Sequence, residues 1–460
     1  MSCCRIDLPR DVAALLRILH RAGHSAYVVG GCVRDSLLGR RPGDWDICTS
    51  ARPDQIKAAF TGYRLLLTGE KHGTVAVLLH GRTYEITTYR LDGAYTDHRR
   101  PDAVTFVRDL SADLARRDFT VNAMAYAPGV GLVDLYEGRR DLERRLVRCV
   151  GAPQQRFAED ALRILRAVRF ASQLEFTLDA PTRAAALAQR ETVNTVAAER
   201  IFTELDKLLA GPGAATALCR YGELLTGAVP EIGPCMGCAQ TGPWHRYDVW
   251  QHTAAAVGAL STEGQNPHGE RILRWAALLH DIAKPSCRTT DPDGMAHFHG
   301  HNQRGARMSR AILRRLRAPS YLIEGATTLI AIHDAPLPTA DPDILRLLNR
   351  YGAAFLQRLC LLKYADLDAH ACNEPVSIRR ADVACFEVRL RTLAVEGCYT
   401  VAQLAVRGSD VMELGIAPGP AVGDALHRLL NAVMDGSLPN EKTALLAAAA
   451  RWHDRDHTPG

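Results

Sequence analysis

Ala26-Tyr27-Val28-Val29-Gly30-Gly31-Cys32-Val33-Arg34-Asp35, followed after eight residues by Asp44-Trp45-Asp46-Ile47-Cys48, is the stretch whose reading decides the fold. The run Ala26–Val29 is short, apolar and partly β-branched, which predicts a strand that ends in the Gly30-Gly31 turn. Glycines let backbone amides approach an anion closely, and the helix expected to open at Cys32-Val33-Arg34 aims further amides at the same point. Arg34 adds a planar fork suited to phosphate, and Gly31 and Arg34 are therefore the first candidate anion-binding residues. With Trp45–Cys48 as a strand, its period of two puts Asp44 and Asp46 on one face. Two adjacent carboxylates repel each other unless a divalent cation lies between them, and oxygen ligands shared with substrate phosphates suit Mg²⁺. Glu85, in the alternating run Tyr84-Glu85-Ile86-Thr87-Thr88-Tyr89, is either an outward strand residue or a third carboxylate for the same ions.

Working outward, the 460 residues exceed what one core organises, so several domains are expected. Net charge is only +5, but it is unevenly spread. From Arg139 to Phe170 there are nine arginines, no lysine and four acids (Asp141, Glu143, Glu159, Asp160). A charge run is usually a solvated face; arginine without lysine favours phosphate contacts. No apolar run reaches the roughly 18 residues a membrane span requires, and no secretory leader is evident. Thirteen scattered cysteines, odd in number and mostly in apolar contexts, read as reduced thiols of a cytoplasmic protein. Cys235-Met236-Gly237-Cys238 has half a zinc-site spacing without a second pair, and reads as loop.

Three longer motifs extend the first: Leu114-Ala115-Arg116-Arg117-Asp118-Phe119-Thr120-Val121-Asn122-Ala123-Met124, Glu159-Asp160-Ala161-Leu162-Arg163-Ile164-Leu165-Arg166-Ala167-Val168-Arg169-Phe170, and Glu199-Arg200-Ile201-Phe202-Thr203-Glu204-Leu205. Together with the glycine turn and the Asp pair, these resemble the class II CCA-adding tRNA nucleotidyltransferases and related poly(A) polymerases, densely over about the first 210 residues. The resemblance implies a polymerase-beta-like nucleotidyltransferase that moves a nucleoside monophosphate from an NTP to a hydroxyl. It implies Asp44 and Asp46 as Mg²⁺ ligands and catalytic groups, Arg117 as a nucleotide contact, and Asp118 and Asn122 as readers of the ribose hydroxyl. Asp160 and Arg163 would serve as a protein template, with Arg166 and Arg169 also at the nucleotide.

Bottom-up chemistry agrees with that template. In a helix starting near Phe157, Ala158, Ala161, Leu162, Leu165 and Val168 form one apolar stripe, and Asp160, Arg163 and Arg166 recur on another side. A carboxylate acceptor beside a guanidinium donor matches cytosine and adenine, each offering one amino donor and one ring-nitrogen acceptor, and not uracil or guanine. The bland alternative is an Asp160–Arg163 surface pair worth tenths of a kcal/mol. Thr88 to Asp102 resembles the family's flexible loop in full, which favours complete CCA addition over CC addition.

A second cluster is His252, His280-Asp281, His301, His333 and Asp366. His280-Asp281, closing the apolar run Trp275-Ala276-Ala277-Leu278-Leu279, resembles the HD phosphohydrolase superfamily. There His252, His280, Asp281 and Asp366 would form the metal site, and His301 and His333 would fit the extra ligands of two-metal members. Imidazole and carboxylate suit a transition metal that activates water for phosphoester cleavage.

The expected fold class is α+β. A nucleotidyltransferase head (1–140) is followed by an all-α neck carrying the nucleotide-selecting helix (141–226), an HD domain (244–370) and an α-helical tail (371–460). Gly211-Pro212-Gly213 and the stretch from Gly227 to Pro243 are candidate boundaries. The tail segment from Ala402 to Gly423 resembles the tRNA-binding tail of Gram-positive-type CCA enzymes; packing on the HD domain is the alternative. The expected partners are tRNA, CTP and ATP, with no membrane and no DNA. Rival functions are poly(A) addition, or an HD phosphohydrolase whose head binds RNA.

Overall fold

The computed structural model describes residues 5–92, 104–242 and 244–457. Most of the loop expected to be flexible, from 93 to 103, lies outside the described residues. The chain forms two compact units, residues 1–234 with 312–318, and 235–311 with 319–460.

The first unit begins with a seven-stranded sheet. Its strands are β1 (Ala26–Val29), β2 (Ile47–Thr49), β3 (Arg64–Leu66), β4 (Thr74–Leu79) and β5 (Arg82–Thr88); β6 (Arg90–Asp92) pairs separately with β7 (Val104–Phe106), and β8 (Met124–Ala127) and β9 (Gly131–Asp134) complete the sheet. The order is β3-β4-β5-β2-β1-β8-β9. All pairs are antiparallel except β2 with β5. The helix Arg10–Arg21 buries Val12, Leu15, Leu16 and Leu19, the three-and-four spacing of a single apolar stripe. Val29, Cys48, Tyr89, Leu114 and Ala125 pack into one buried cluster. The ends of β1 and β2 are thereby fixed from beneath.

The neck is helical, and here two expectations change. Instead of one helix from Phe157, there are two, Pro153–Glu159 and Leu162–Leu174, with Asp160 extended between them at φ −142°. The physical reason is local: the Asp160 Oδ1 accepts a hydrogen bond from the Leu162 amide at 3.1 Å, a side-chain turn that competes with continuing the first helix. Ala158 is exposed, whereas Ala161, Leu162, Leu165 and Val168 are buried as expected.

Gly211-Pro212-Gly213 is no linker: it lies within the first unit. A side-chain carbon at Gly211 would stand 2.2 Å from Ser172 Oγ, and one at Gly213 would stand 2.9 Å from the Ser172 carbonyl. These glycines allow the helices Ala198–Leu209 and Ala214–Leu225 to close against Leu162–Leu174.

The second unit is almost wholly helical. Its helix starts follow capping chemistry: Asp248, Asn266 and Asn373 accept from Gln251, Gly269 and Val376 amides. Proline occupies the first turn of the helices Pro267–Leu279 and Glu374–Glu396. Tail helices Gly408–Met412, Pro420–Met434 and Lys442–His457 follow. No helix among the described residues is long and apolar enough to cross a membrane.

Candidate active site and metal cluster

In the head, strand register brings the acidic residues together. Ile47 on β2 is paired with Ile86 on β5, so Asp46 and Glu85, each one position earlier, stand side by side. Val29 donates to the Asp46 carbonyl at 3.0 Å, which puts the Gly30-Gly31 turn directly beyond that pair. Gly30 sits at φ +81°, left-handed backbone that favours glycine, and opens the helix Gly31–Leu37.

Asp46 stays open to solvent on one side, but desolvation by the surrounding protein and then the Glu85 carboxylate raise its pKa, with Asp44 adding to the effect and Arg117 opposing it. Crowded carboxylates whose mutual repulsion disfavours ionisation form an all-oxygen donor set that a divalent cation would relieve. The residues present therefore fit a hard cation, and Glu85 belongs to the cluster electrostatically.

Opposite the acids stands Arg117. A side-chain carbon at Gly30 would lie 3.1 Å from its Nη1, so only a bare residue leaves the guanidinium this close to the turn. Its Nη2 donates to buried Asp113 at 3.2 Å, and its Nε is buried without an acceptor.

Arg34 is not held free for an anion. It donates to Asn122 Oδ1 at 2.6 Å and pairs with Asp35 at 2.9 Å. Asn122 Nδ2 in turn donates to Asp118 Oδ1 at 3.1 Å, and Arg166 Nε to Asp118 Oδ2 at 2.8 Å. Burial pushes the Asp118 carboxyl up, yet the Arg166 guanidinium and the hydrogen bonds outweigh it and hold the group well below the usual carboxylate range. The chain continues through Glu204, whose Oε2 lies 2.7 Å from Arg169 Nε and whose Oε1 lies 3.9 Å from Arg166. Arg34, Arg166 and Arg169 all lie over the Phe170 ring, at 5.2, 5.5 and 4.0 Å from its centroid.

Asp160 and Arg163 are not paired through their side chains; the Arg163 amide donates to the Asp160 carbonyl at 3.0 Å. Arg163 is buried and donates to Glu159 at 2.6 Å, to the Arg156 carbonyl at 3.1 Å and to the Arg116 carbonyl at 2.9 Å. Asp160 Oδ2 accepts from Arg200 at 2.9 Å. The surface-pair alternative is thus replaced by two separately anchored groups. Glu204, Arg200 and Asp113 carried no assigned role in the sequence. Glu204 and Arg200 lie in the third long motif, and only the contacts across 35 to 40 residues reveal what they hold.

In the second unit, the six expected residues converge. His252 Nε2 is 2.8 Å from Asp366 Oδ1 and 3.6 Å from Asp281 Oδ2. His280 Nε2 is 3.2 Å from Asp281, and His301 and His333 approach its other oxygen at 3.5 and 3.9 Å. Among the described residues, three overlapping metal-competent groups result: His252-His280-Asp281, His252-Asp366-His370 and Asp281-His301-His333. His370 was missed, although its four-residue spacing from Asp366 puts both on one side of the helix end.

His280, His301 and His333 each direct Nδ1 to a carbonyl three residues earlier, at 2.9, 2.8 and 2.8 Å. That leaves Nε2 facing the centre, the usual way a protein orients metal ligands. His280 Nε2 and both Asp281 oxygens are buried without a well-aligned hydrogen bond. Burial lowers the pKa of His333 to about 4 and that of His252 as well, favouring neutral imidazole, the ligand form. His280 behaves oppositely: burial lowers it, but Asp281 more than compensates and draws it up to about 10. The donor set fits a transition metal. Buried Lys284, 2.7 Å from both Asp281 and Gln240, completes the surroundings. Cys235 lies outside these groups: its thiol, pushed up to about 12 by burial, donates to the Ile282 carbonyl. A cavity of about 350 Å³ opens onto the cluster, lined among others by Trp244, Lys284, His301 and Arg379.

Head and metal cluster together define a nucleotidyltransferase with an HD module. Residues 26–148 match the poly A polymerase head domain, 175–232 the RNA- and SrmB-binding site of polymerase A, 245–369 the HD domain, and 309–449 tRNA nucleotidyltransferase domain 2. The chain is 36% identical over 438 residues to the CCA-adding enzyme of Levilactobacillus brevis, covering 94% of this chain and 96% of that relative. It is 37% identical over 443 residues to that of Geobacillus thermodenitrificans, covering 95% and 96%. The chain belongs to the CCA-adding enzyme family. Its structure is similar to that of the Bacillus stearothermophilus CCA-adding enzyme in complex with CTP, with TM-score 0.68, 30% identity and coverage of 97% and 98%. The Thermotoga maritima CCA-adding enzyme with tRNA shares the fold, at TM-score 0.59 and 18% identity over 97% and 96%.

Proposed function

We propose that this protein adds CCA to the 3′ end of tRNA from CTP and ATP, without a nucleic-acid template. Near-full-length similarity to CCA-adding enzymes carries the reading, and the converging Asp44, Asp46, Glu85 and Arg117 supply its chemistry. Poly(A) addition is the rival for the same head.

In this reading Asp44 and Asp46, with Glu85 beside them, hold Mg²⁺. When bound, the ions supply Lewis acidity at the primer 3′-hydroxyl and the leaving pyrophosphate. Arg117 and the amides around Gly31 hold the triphosphate, with Arg34 bracing Asn122 as Asp118 and Asn122 orient the ribose. Asp160 accepts the amino group shared by cytosine and adenine, Arg163 offers a fixed donor to the ring nitrogen, and Arg166 and Arg169 flank the base. A keto oxygen facing Asp160 is repelled, which excludes UTP and GTP.

The division of labour follows the expected domains: head 1–140, neck 141–226, HD domain 244–370 and tail 371–460, whose helices hold tRNA through phosphates and shape. His252, His280, Asp281 and Asp366 hold a transition metal in the HD domain, where a phosphoester would be cleaved as a second, separate activity. The convergence of four imidazoles on the Asp281 carboxylate favours that second reading. We place the protein in the cytoplasm, with its thiols reduced. The test is incubation with tRNA lacking its CCA end, CTP, ATP and Mg²⁺. Addition of three nucleotides ending in A supports the proposal, and long A-only tails refute it.

A further inference from the structure

The helix Ala198–Leu209 lies along Leu162–Leu174 and sends two charged side chains, one turn apart, to the base-reading residues. Glu204 meets Arg166 and Arg169, and Arg200 Nη2 meets Asp160 Oδ2 at 2.9 Å. Asp160 has left the helical conformation, so its carboxylate direction is not set by a helix backbone. Two contacts set it instead, the Leu162 amide on Oδ1 and Arg200 on Oδ2. The Leu162 contact alone leaves the carboxylate free to swing about its own side-chain torsions. Arg200 carries a second peculiarity: its Nη1 is buried and has no hydrogen-bond partner. A buried donor without an acceptor is costly, so Arg200 is held against Asp160 at the expense of its own hydrogen bonding.

We propose that Arg200 is a positioning residue for base selection: it pins the Asp160 carboxylate so that its acceptor faces the amino edge of CTP and ATP. This rests on the reading of Asp160 as the base reader. Lysine cannot reproduce the fork of a guanidinium, but it retains the charge. Methionine retains the length and neither charge nor donors.

The experiment is single-nucleotide addition to tRNA lacking CCA, with CTP, ATP, UTP and GTP tested separately for wild type, Arg200→Met, Arg200→Lys, Asp160→Ala and the Arg200→Met/Asp160→Ala double variant. Arg200→Met is expected to lower discrimination against UTP by about tenfold, chiefly through KM for CTP and ATP, with Arg200→Lys intermediate. The double variant is expected to match Asp160→Ala, since the arginine acts through the aspartate. Additive losses in the double variant, or wild-type KM and selectivity in Arg200→Met, overturn the inference. A merely structural role would lower kcat for all four nucleotides alike, and that outcome also overturns it. If Arg200→Met fails to fold, Arg200→Lys decides by the same selectivity ratio. Unchanged selectivity in Asp160→Ala refutes the base-reader reading itself, whereas collapse there with no change at Arg200 refutes only the pinning.

Discussion

Replacing Asp118 with asparagine keeps its shape and removes its charge. The carboxylate is buried, accepts from the Phe119 amide at 2.8 Å and Asn122 at 3.1 Å, and takes two hydrogen bonds from Arg166. Leaving one partner of a buried pair uncompensated costs about 3–5 kcal/mol. Arg166 has a side chain 32% exposed and keeps Glu204 at 3.9 Å, so screening reduces the expected loss to about 2–3 kcal/mol. Because the chain has two units, local opening is the suitable readout, by amide hydrogen exchange across Leu162–Leu174. At 1.36 kcal/mol per tenfold, exchange there should rise by about 30- to 150-fold in Asp118→Asn. The sign with pH is also fixed. The Asp118 pKa is lowered in the folded state from the ordinary value of 3.8, so its stabilisation is present above 3.8 and is lost as pH falls below it. Wild-type protection of this helix should therefore weaken on acidification more steeply than that of the variant. Exchange within threefold of wild type at neutral pH would refute the reasoning.

Asp46→Asn should abolish nucleotide addition while tRNA binding, measured by filter retention, stays near wild type; addition at the wild-type rate removes Asp46 from the chemistry. Glu85→Gln should shift the pH dependence of addition to lower pH, because loss of the neighbouring charge relieves the raised Asp46. A profile superimposable on wild type contradicts that coupling. His280→Ala with Asp281→Ala should lose bound transition metal by elemental analysis and any phosphohydrolase activity, and retain CCA addition. Loss of CCA addition in a folded double variant would contradict two separate sites.

The parts of the site legible in the sequence are those set by local pattern. The strand, the Gly30-Gly31 turn and the following helix are announced by residue type over ten positions, and β-branched alternation marks Thr74–Leu79. The converging His and Asp side chains of the HD domain stand out in the sequence because His280 and Asp281 are adjacent. The break at Asp160 does not, since apolar spacing runs through it and the deciding contacts are a two-residue side-chain turn and an arginine 40 residues away. Gly211 and Gly213 look like a linker in sequence, and only the approach to Ser172 shows them to be a packing contact. Lys284 and Gln240 are joined across 44 residues, which no periodicity encodes.

Sequencing of the product 3′ ends tests the central claim most directly. tRNA lacking CCA is incubated with wild-type protein, Mg²⁺ and all four NTPs together. The expected product is C, C, A and then a stop, with U and G absent despite their availability. Ends of variable length composed of A alone, or ends that take up U as readily as C, would contradict it.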